Sequence, residues 1–265
     1  MNCTVTKMLL ADIIITTKGN GGRPKLLEKS LQSLAENTKK KHFRLTVIQD
    51  GEDEEVENVV KKFRKEGLVD NFIFKGENEG LAPALNSSFQ FCLQNEEYFD
   101  VEDYGNFRKT SSFLSLNQDD ILYSPNWLPT LVSNFCLLEK KENLALVTGI
   151  TSPEHPIVKN LPLNLQLKNW VRMTQLMGRW SFFKEIFPIP VYDPETRKQR
   201  AHPHNGIGSS VDWWICRNSN RCLVNTGRYA LVVTGLLQHL GYKDSTWLKR
   251  ELEETQEDLE KISRS

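Results

Sequence analysis

Residues 11–31 read ADIIITTKGNGGRPKLLEKSL. The first seven of these are largely β-branched, with three consecutive isoleucines and no polar alternation, the pattern of a strand covered on both faces. A glycine-rich loop over 18–23 follows. Pro24 stands where the first turn of a helix accepts it. Leu26, Leu27, Leu31 and Leu34 then fall on one side of that helix. The unit of strand, loop and helix recurs downstream. A second strand over 43–49 ends at Asp50-Gly51. The charged helix over 52–67 turns Val56, Val59, Val60 and Phe63 inward, and its acidic start and basic end match the helix dipole. A third strand is expected over 71–75, a third helix over 81–94 and a fourth strand over 113–116. A fourth helix over 126–140 and a fifth strand over 144–150 complete the series. This alternation predicts an α/β fold, a mostly parallel sheet flanked by helices.

Beyond residue 150 the pattern loosens. The stretch 151–164 reads as a polar, proline-bearing loop. The stretch 165–187 reads as a helix carrying Trp170 and Trp180, and 188–208 as a second long loop. Long loops in a compact domain are usually functional. A helix start is expected over 209–216, one or two strands over 222–233, and an acidic amphipathic helix from 247 onward. Residues 1–150 and 151–265 are therefore a regular half and a loop-rich half of one compact domain.

Composition narrows the classes further. The chain has 265 residues, 39% hydrophobic and 26% charged, which excludes a disordered, collagen-like or membrane-bundle protein. Its 34 basic and 34 acidic residues give a net charge of +0, so it is not a polycation built to coat nucleic acid. Cys3, Cys92, Cys136, Cys216 and Cys222 are odd in number and lack Cys-x-x-Cys spacing. They read as free thiols in a reducing compartment rather than as disulfides or a structural zinc site. Asp12 interrupts the N-terminal apolar run, and no apolar stretch approaches the roughly 20 residues that span a bilayer. The expected location is the cytoplasm, with no transmembrane segment.

An open, mostly parallel sheet binds ligands at the carboxyl ends of its strands. Here those ends carry Thr16 and Thr17, Asp50, the segment 76–80, and Asn117-Gln118-Asp119-Asp120. Adjacent carboxylates at a strand end repel unless a cation or hydrogen bonds compensate, and they suit a hard divalent metal that also takes phosphate oxygens. The same residues also read as a polar loop with a helix cap. Asp50 can accept from a nucleobase or a ribose hydroxyl, and Asp50-Gly51 is equally a turn dipeptide. In Asn78-Glu79-Gly80, Gly80 allows close backbone approach before a helix N-terminus that favours anions, with Asn86 about one turn or so inside; the plain alternative is an ordinary helix start.

As an ordered set these segments resemble a GT-A-fold glycosyltransferase of the family 2 type. The matching pieces are Thr16-Thr17 with Arg23-Pro24, Leu26-Leu27 and Ser33-Leu34; Asp50; Asn78-x-Gly80 with Asn86; and Leu116-Asn117-Gln118-Asp119-Asp120 with Pro125 and Trp127-Leu128. The resemblance covers about residues 11–140. It implies a Rossmann-like nucleotide-sugar half over 1–150 and an acceptor half over 151–265. Thr16, Thr17, Arg23, Asp50, Asn78, Gly80, Asn86 and Gln118 would hold the nucleotide. Asn117-Gln118-Asp119 stands where the family has Asp-x-Asp, with Asn117 replacing the first Asp, and Gln118-Asp119-Asp120 is the other alignment. Asp119 and Asp120 would then lie at the metal-diphosphate. The segment 204–214 (HNGIGSSVDWW) resembles the family's glycine-containing loop and acidic helix start. Asp212 would be the catalytic base of an inverting transfer, and His204, Trp213 and Trp214 would face the acceptor or sugar. The alternative is that Asp212 caps a helix and both tryptophans pack in the core. Gln238-His239-Leu240-Gly241 resembles the late histidine segment, in which His239 would be a third ligand to Mn²⁺ or Mg²⁺; a lone histidine is equally a structural residue.

The resemblance thus implies a metal-dependent transferase using a nucleotide-sugar, with a UDP-sugar favoured. Its acceptor is a glycan, a protein or a modified nucleobase. Two other functions remain open. The loop at 19–25 resembles that of sugar-nucleotide nucleotidyltransferases, which release pyrophosphate. The same fold also serves a non-catalytic nucleotide- or sugar-binding module.

Overall fold

The computed structural model describes residues 10–19, 23–94, 112–150, 155–190 and 209–240. In chain order its elements are β1 (Ala11–Lys18), α1 (Arg23–Asn37), β2 (Phe43–Asp50), α2 (Glu54–Lys65), β3 (Asn71–Lys75), α3 (Leu81–Gln94), β4 (Phe113–Gln118), β5 (Ile121–Tyr123) and α4 (Trp127–Leu138). There follow β6 (Leu144–Thr148), β7 (Lys159–Leu161), β8 (Leu165–Lys168), β9 (Gln175–Arg179), α5 (Trp180–Ile186), α6 (Ser209–Trp213), a π turn over Trp214–Asn218, α7 (Leu223–Thr226), β10 (Tyr229–Val233) and β11 (Leu237–His239).

Nine of these strands form one sheet in the order β3-β2-β1-β4-β9-β6-β10-β8-β7. Only β9 and β8 run against the rest, so the sheet is mostly parallel. β1 lies between two parallel neighbours and is buried at every position but Lys18, which is why its sequence is apolar without alternation. Successive side chains still point to opposite faces. Ile13 and Ile15 join Leu27, Leu31, Val56 and Phe135 beneath α1, α2 and α4. Ile14 joins Leu85, Phe89, Leu176 and Phe183 beneath α3 and α5. Helix α2 begins where the Asp53 carboxylate accepts from the N–H groups of Glu55 and Val56.

Asp12, which breaks the apolar run of β1, is 1% exposed. Arg44 Nε donates to its Oδ1 at 2.6 Å and Trp180 Nε1 donates to its Oδ2 at 3.0 Å. The carboxylate thus ties α5, from the second half, onto the first strand.

The helix expected over 165–187 is not there. The segment folds as β8, β9 and the short helix α5. A strand buried on both faces offers no alternation by which to tell it from a buried helix. β9 is such a strand, inserted between β4 and β6. Gly178 marks that insertion: a Cβ there would sit 2.6 Å from the carbonyl oxygen of Ala145. Within the expected loop 151–164, residues 159–161 form the edge strand β7, and the stretch 222–233 holds α7 and a single strand. The expected terminal helix from 247, and residues 191–208 of the second long loop, lie outside the described residues.

Trp127 is fully buried, donates Nε1–H to Thr38 Oγ1 at 2.7 Å and packs on Tyr123 at 4.8 Å between ring centroids. Trp127→Ala is expected to cost about 3–5 kcal/mol of unfolding free energy, read by chemical denaturation. A loss below about 1 kcal/mol would mean that this core collapses around the cavity.

Candidate functional site

Parallel pairing aligns the carboxyl ends of three strands. Lys18 lies opposite Asp50, and Thr16 opposite Gln118, so Thr17 comes beside the residues that follow β4. Gly19 then passes so close to the next loop that a Cβ would stand 2.7 Å from the carbonyl oxygens of Gly51 and Glu52. Only glycine fits there.

Asp119 and Asp120 are each 2% exposed. Thr17 Oγ1 donates to Asp119 Oδ2 at 2.6 Å. Arg23, the first residue of α1, reaches back across the strand ends. Its Nη1 donates to Asp119 Oδ1 at 2.6 Å and to Asp120 Oδ2 at 3.1 Å. His239 Nε2 lies 3.1 Å from the same Asp120 oxygen. His239 arrives through β11, which pairs antiparallel with β5 so that His239 stands opposite Ile121. The Leu240 N–H closes the contact on the Asp120 carbonyl oxygen at 2.7 Å.

The two carboxyls are shifted in opposite directions. Burial pushes Asp119 up to about 6, although Arg23 and the Thr17 hydroxyl favour its charged form. Burial also opposes ionisation of Asp120, but His239 and Arg23 outweigh it and hold that carboxyl below the usual range. Asp120 Oδ1 is buried and accepts no hydrogen bond from the described residues.

Asn117 takes no part in this cluster. Its amide lies in the core, where Oδ1 accepts from Ser115 Oγ at 2.7 Å and Nδ2 donates to Tyr123 Oη at 2.8 Å. Gln175 extends the network by donating to Ser115 Oγ at 3.2 Å and accepting from the Gly149 N–H at 2.9 Å. The acidic side chains that meet Thr17 and Arg23 are Asp119 and Asp120. Tyr123 and Gln175, which brace the floor of the site, carried no signal in the sequence because their contacts join elements far apart in the chain.

A second group adjoins the first through the N–H of Gly19, which donates to the Asp50 carbonyl oxygen at 3.2 Å. The Asp50 carboxylate accepts from the N–H of Glu79 at 3.0 Å and of Gly80 at 2.7 Å. Burial raises its pKa against the opposing pull of the Gly80 N–H and Lys75. Gly80 has φ +96°, a conformation that favours glycine. Asn78 is exposed beside Gly51. The structure thus brings Asp50, Asn78 and Gly80 together, with Asp50 holding the loop that contains the other two.

The remaining candidates are placed differently. Thr16 is buried, with Oγ1 3.4 Å from the Asn117 carbonyl oxygen. Gln118 is half-buried and its N–H donates to the Thr174 carbonyl oxygen at 2.9 Å. Asn86 gives Nδ2–H to the Ile189 carbonyl oxygen at 2.7 Å and takes the Ile189 N–H at 2.8 Å. Its amide is committed to pinning that segment onto α3. Asp212, in α6, is half-buried and accepts from the Trp213 N–H at 2.9 Å. Trp214 packs against the second core and donates Nε1–H to the Ile186 carbonyl oxygen at 3.2 Å. Val211 and Ile215 beside them are fully buried. His204 lies outside the described residues.

Among the described residues no group of three or more His, Cys, Asp and Glu side chains is arranged as a metal site. Asp120, with one buried oxygen unused, and His239 beside it offer two ligands. That set fits a divalent ion which takes the rest of its shell from phosphate oxygens and water. No helix among the described residues is long and apolar enough to cross a membrane.

A family model described as Glycosyl transferase family 2 matches residues 12–190. Among solved structures, the mannosyltransferase PcManGT from Pyrobaculum calidifontis, in complex with GDP-Man and Mn²⁺, aligns with 70% of this chain and 49% of its own at 12% identity and a TM-score of 0.50. GalNAc-T7 with UDP, GalNAc and Mn²⁺ aligns with 88% of this chain and 44% of its own at 14% identity and a TM-score of 0.53. The chain thus spans less than half the length of either, and the likeness is one of fold. No curated protein matches it by sequence.

Proposed function

The chain belongs to glycosyl transferase family 2 and has the GT-A fold, and from that premise we propose that it moves a sugar from a nucleotide-diphosphate donor, with UDP favoured, onto an acceptor hydroxyl with inversion. The observation that carries this reading is the buried Asp119–Asp120 pair at the carboxyl end of β4. Thr17 and Arg23 meet it on one side and His239 on the other.

Asp120 and His239 would hold a divalent metal, and imidazole favours Mn²⁺ over Mg²⁺. When bound, the metal neutralises charge on the departing diphosphate. Thr16, Thr17, Asn78, Gly80 and Gln118 would line the nucleotide. Asp50 would fix the Gly80 loop against the base and ribose, and Asn86 would act at one remove through Ile189. Asp212 would take the proton of the attacking hydroxyl, with Trp213, Trp214 and His204 toward the acceptor. Residues 1–150 would then serve mainly the donor and 151–265 the acceptor, with His239 reaching back from the second half to Asp120. A cytoplasmic setting is supported by the free thiols of Cys92, Cys136, Cys216 and Cys222.

The test is thermal unfolding with UDP, GDP, dTDP and CMP, each with and without Mn²⁺. A ligand that binds only the native state stabilises it by about 2.7 kcal/mol at a hundredfold excess over Kd. UDP is expected to raise the Tm only when Mn²⁺ is present. A flat response to all four nucleotides would overturn the donor site.

A further inference from the structure

The acidic pair is already answered by a cation that belongs to the chain. One nitrogen of Arg23 bridges Asp119 Oδ1 and Asp120 Oδ2, at 2.6 and 3.1 Å, where both carboxylates are buried. A guanidinium keeps its charge at any physiological pH, so this cation cannot leave by losing a proton. Arg23 also opens α1, the end of a helix at which positive charge is disfavoured and an anion is favoured. Its position is therefore held by the carboxylates and not by the helix.

A divalent ion at Asp120 would share this small volume with the guanidinium. The described charges against the two carboxylates are Arg23 and, when protonated, His239. Two carboxylates balance Arg23 with one negative charge to spare, which is too little for a divalent ion. The surplus positive charge is costly in a buried setting, where charges interact more strongly than in water. A diphosphate brings the missing negative charge, and it is also the kind of anion that a guanidinium fork and a helix N-terminus take up.

We infer that Arg23 makes metal binding conditional on the nucleotide: it occupies Asp119 and Asp120 while the donor is absent, and exchanges them for the diphosphate when nucleotide and metal bind together. This rests on the donor-site reading above. The site then ignores free divalent ions and binds metal and nucleotide as a pair. Thermodynamic reciprocity makes each tighten the other by the same factor.

The experiment is a titration of the full chain with Mn²⁺, with free Mn²⁺ read by electron paramagnetic resonance in the absence and presence of UDP. In the wild type, UDP is expected to tighten Mn²⁺ binding about tenfold or more. Arg23→Met is expected to bind Mn²⁺ without nucleotide about tenfold or more tightly than the wild type, the least that removing a fixed charge a few ångströms away produces, and to lose most of the coupling. Arg23→Gln, neutral but still able to donate to Asp119, gives the same reading if Arg23→Met does not fold. Unchanged or weaker Mn²⁺ binding in these variants, beside intact coupling in the wild type, would overturn the role of Arg23 alone. Tighter Mn²⁺ binding in the variants, with UDP, GDP, dTDP and CMP all without effect on the wild type, would overturn the donor-site reading and the nucleotide half of this inference.

Discussion

Replacing Asp120 with asparagine is expected to lower the rate of sugar transfer by about three orders of magnitude and to abolish the Mn²⁺-dependent part of nucleotide stabilisation. Asn keeps the shape and one oxygen but removes the charge. What is lost is electrostatic stabilisation of a leaving diphosphate, worth about 4 kcal/mol at that rate. Asp119→Asn makes the contrast. Both Asp119 oxygens are already committed, one to Arg23 and one to Thr17. Its loss is expected to loosen the start of α1 and lower the Tm while leaving a Mn²⁺ response to UDP. The measurements are donor turnover and thermal shift for both variants across a Mn²⁺ titration. If Asp120→Asn keeps the metal response and Asp119→Asn loses it, the direct ligand is Asp119.

The contrast between these neighbours was not legible in the sequence, although the pair itself was. Strand ends can be read where β-branched runs stop, and Asp50, Thr17 and Asp119-Asp120 are all found that way. The first half could be followed because its strands alternate with amphipathic helices, and the bounds of β3 and α3 were expected as they stand. What local pattern could not supply is the face to which a residue points. Asn117 takes an acidic position of the family's motif in one of the two alignments, yet its amide serves Ser115 and Tyr123 in the core. Asn86 sits beside the glycine loop in sequence and spends its amide on Ile189, 103 residues away. His239 was found by resemblance alone. A three-residue strand carries no periodicity, and only the register of β11 on β5 sets the imidazole against Asp120. The reversed strand β9 stayed hidden for the opposite reason, since burial on both faces removes the alternation by which strands are recognised.

Asp212→Asn is the change expected to separate chemistry from binding most cleanly. If Asp212 takes the proton of the acceptor hydroxyl, its amide cannot, and kcat is expected to fall by about 10²–10⁴-fold. Apolar burial anchors the segment around the residue. Val211 of α6 and Ile215 of the π turn after it are both fully buried, and an amide oxygen can still accept from the Trp213 N–H. The Tm and the Mn²⁺-dependent response to UDP are therefore expected to stay near those of the wild type, because Thr17, Arg23, Asp119, Asp120 and His239 are untouched. A structural role for Asp212 predicts the reverse: a lowered Tm, with kcat per folded molecule near that of the wild type. The pH profile adds an independent reading. A base that must be ionised gives the wild type a limb of activity rising with pH, and Asp212→Asn removes that limb from its residual rate. A variant that keeps both the limb and the rate would assign proton removal to another residue, and Asp212 would then be only a structural residue within α6.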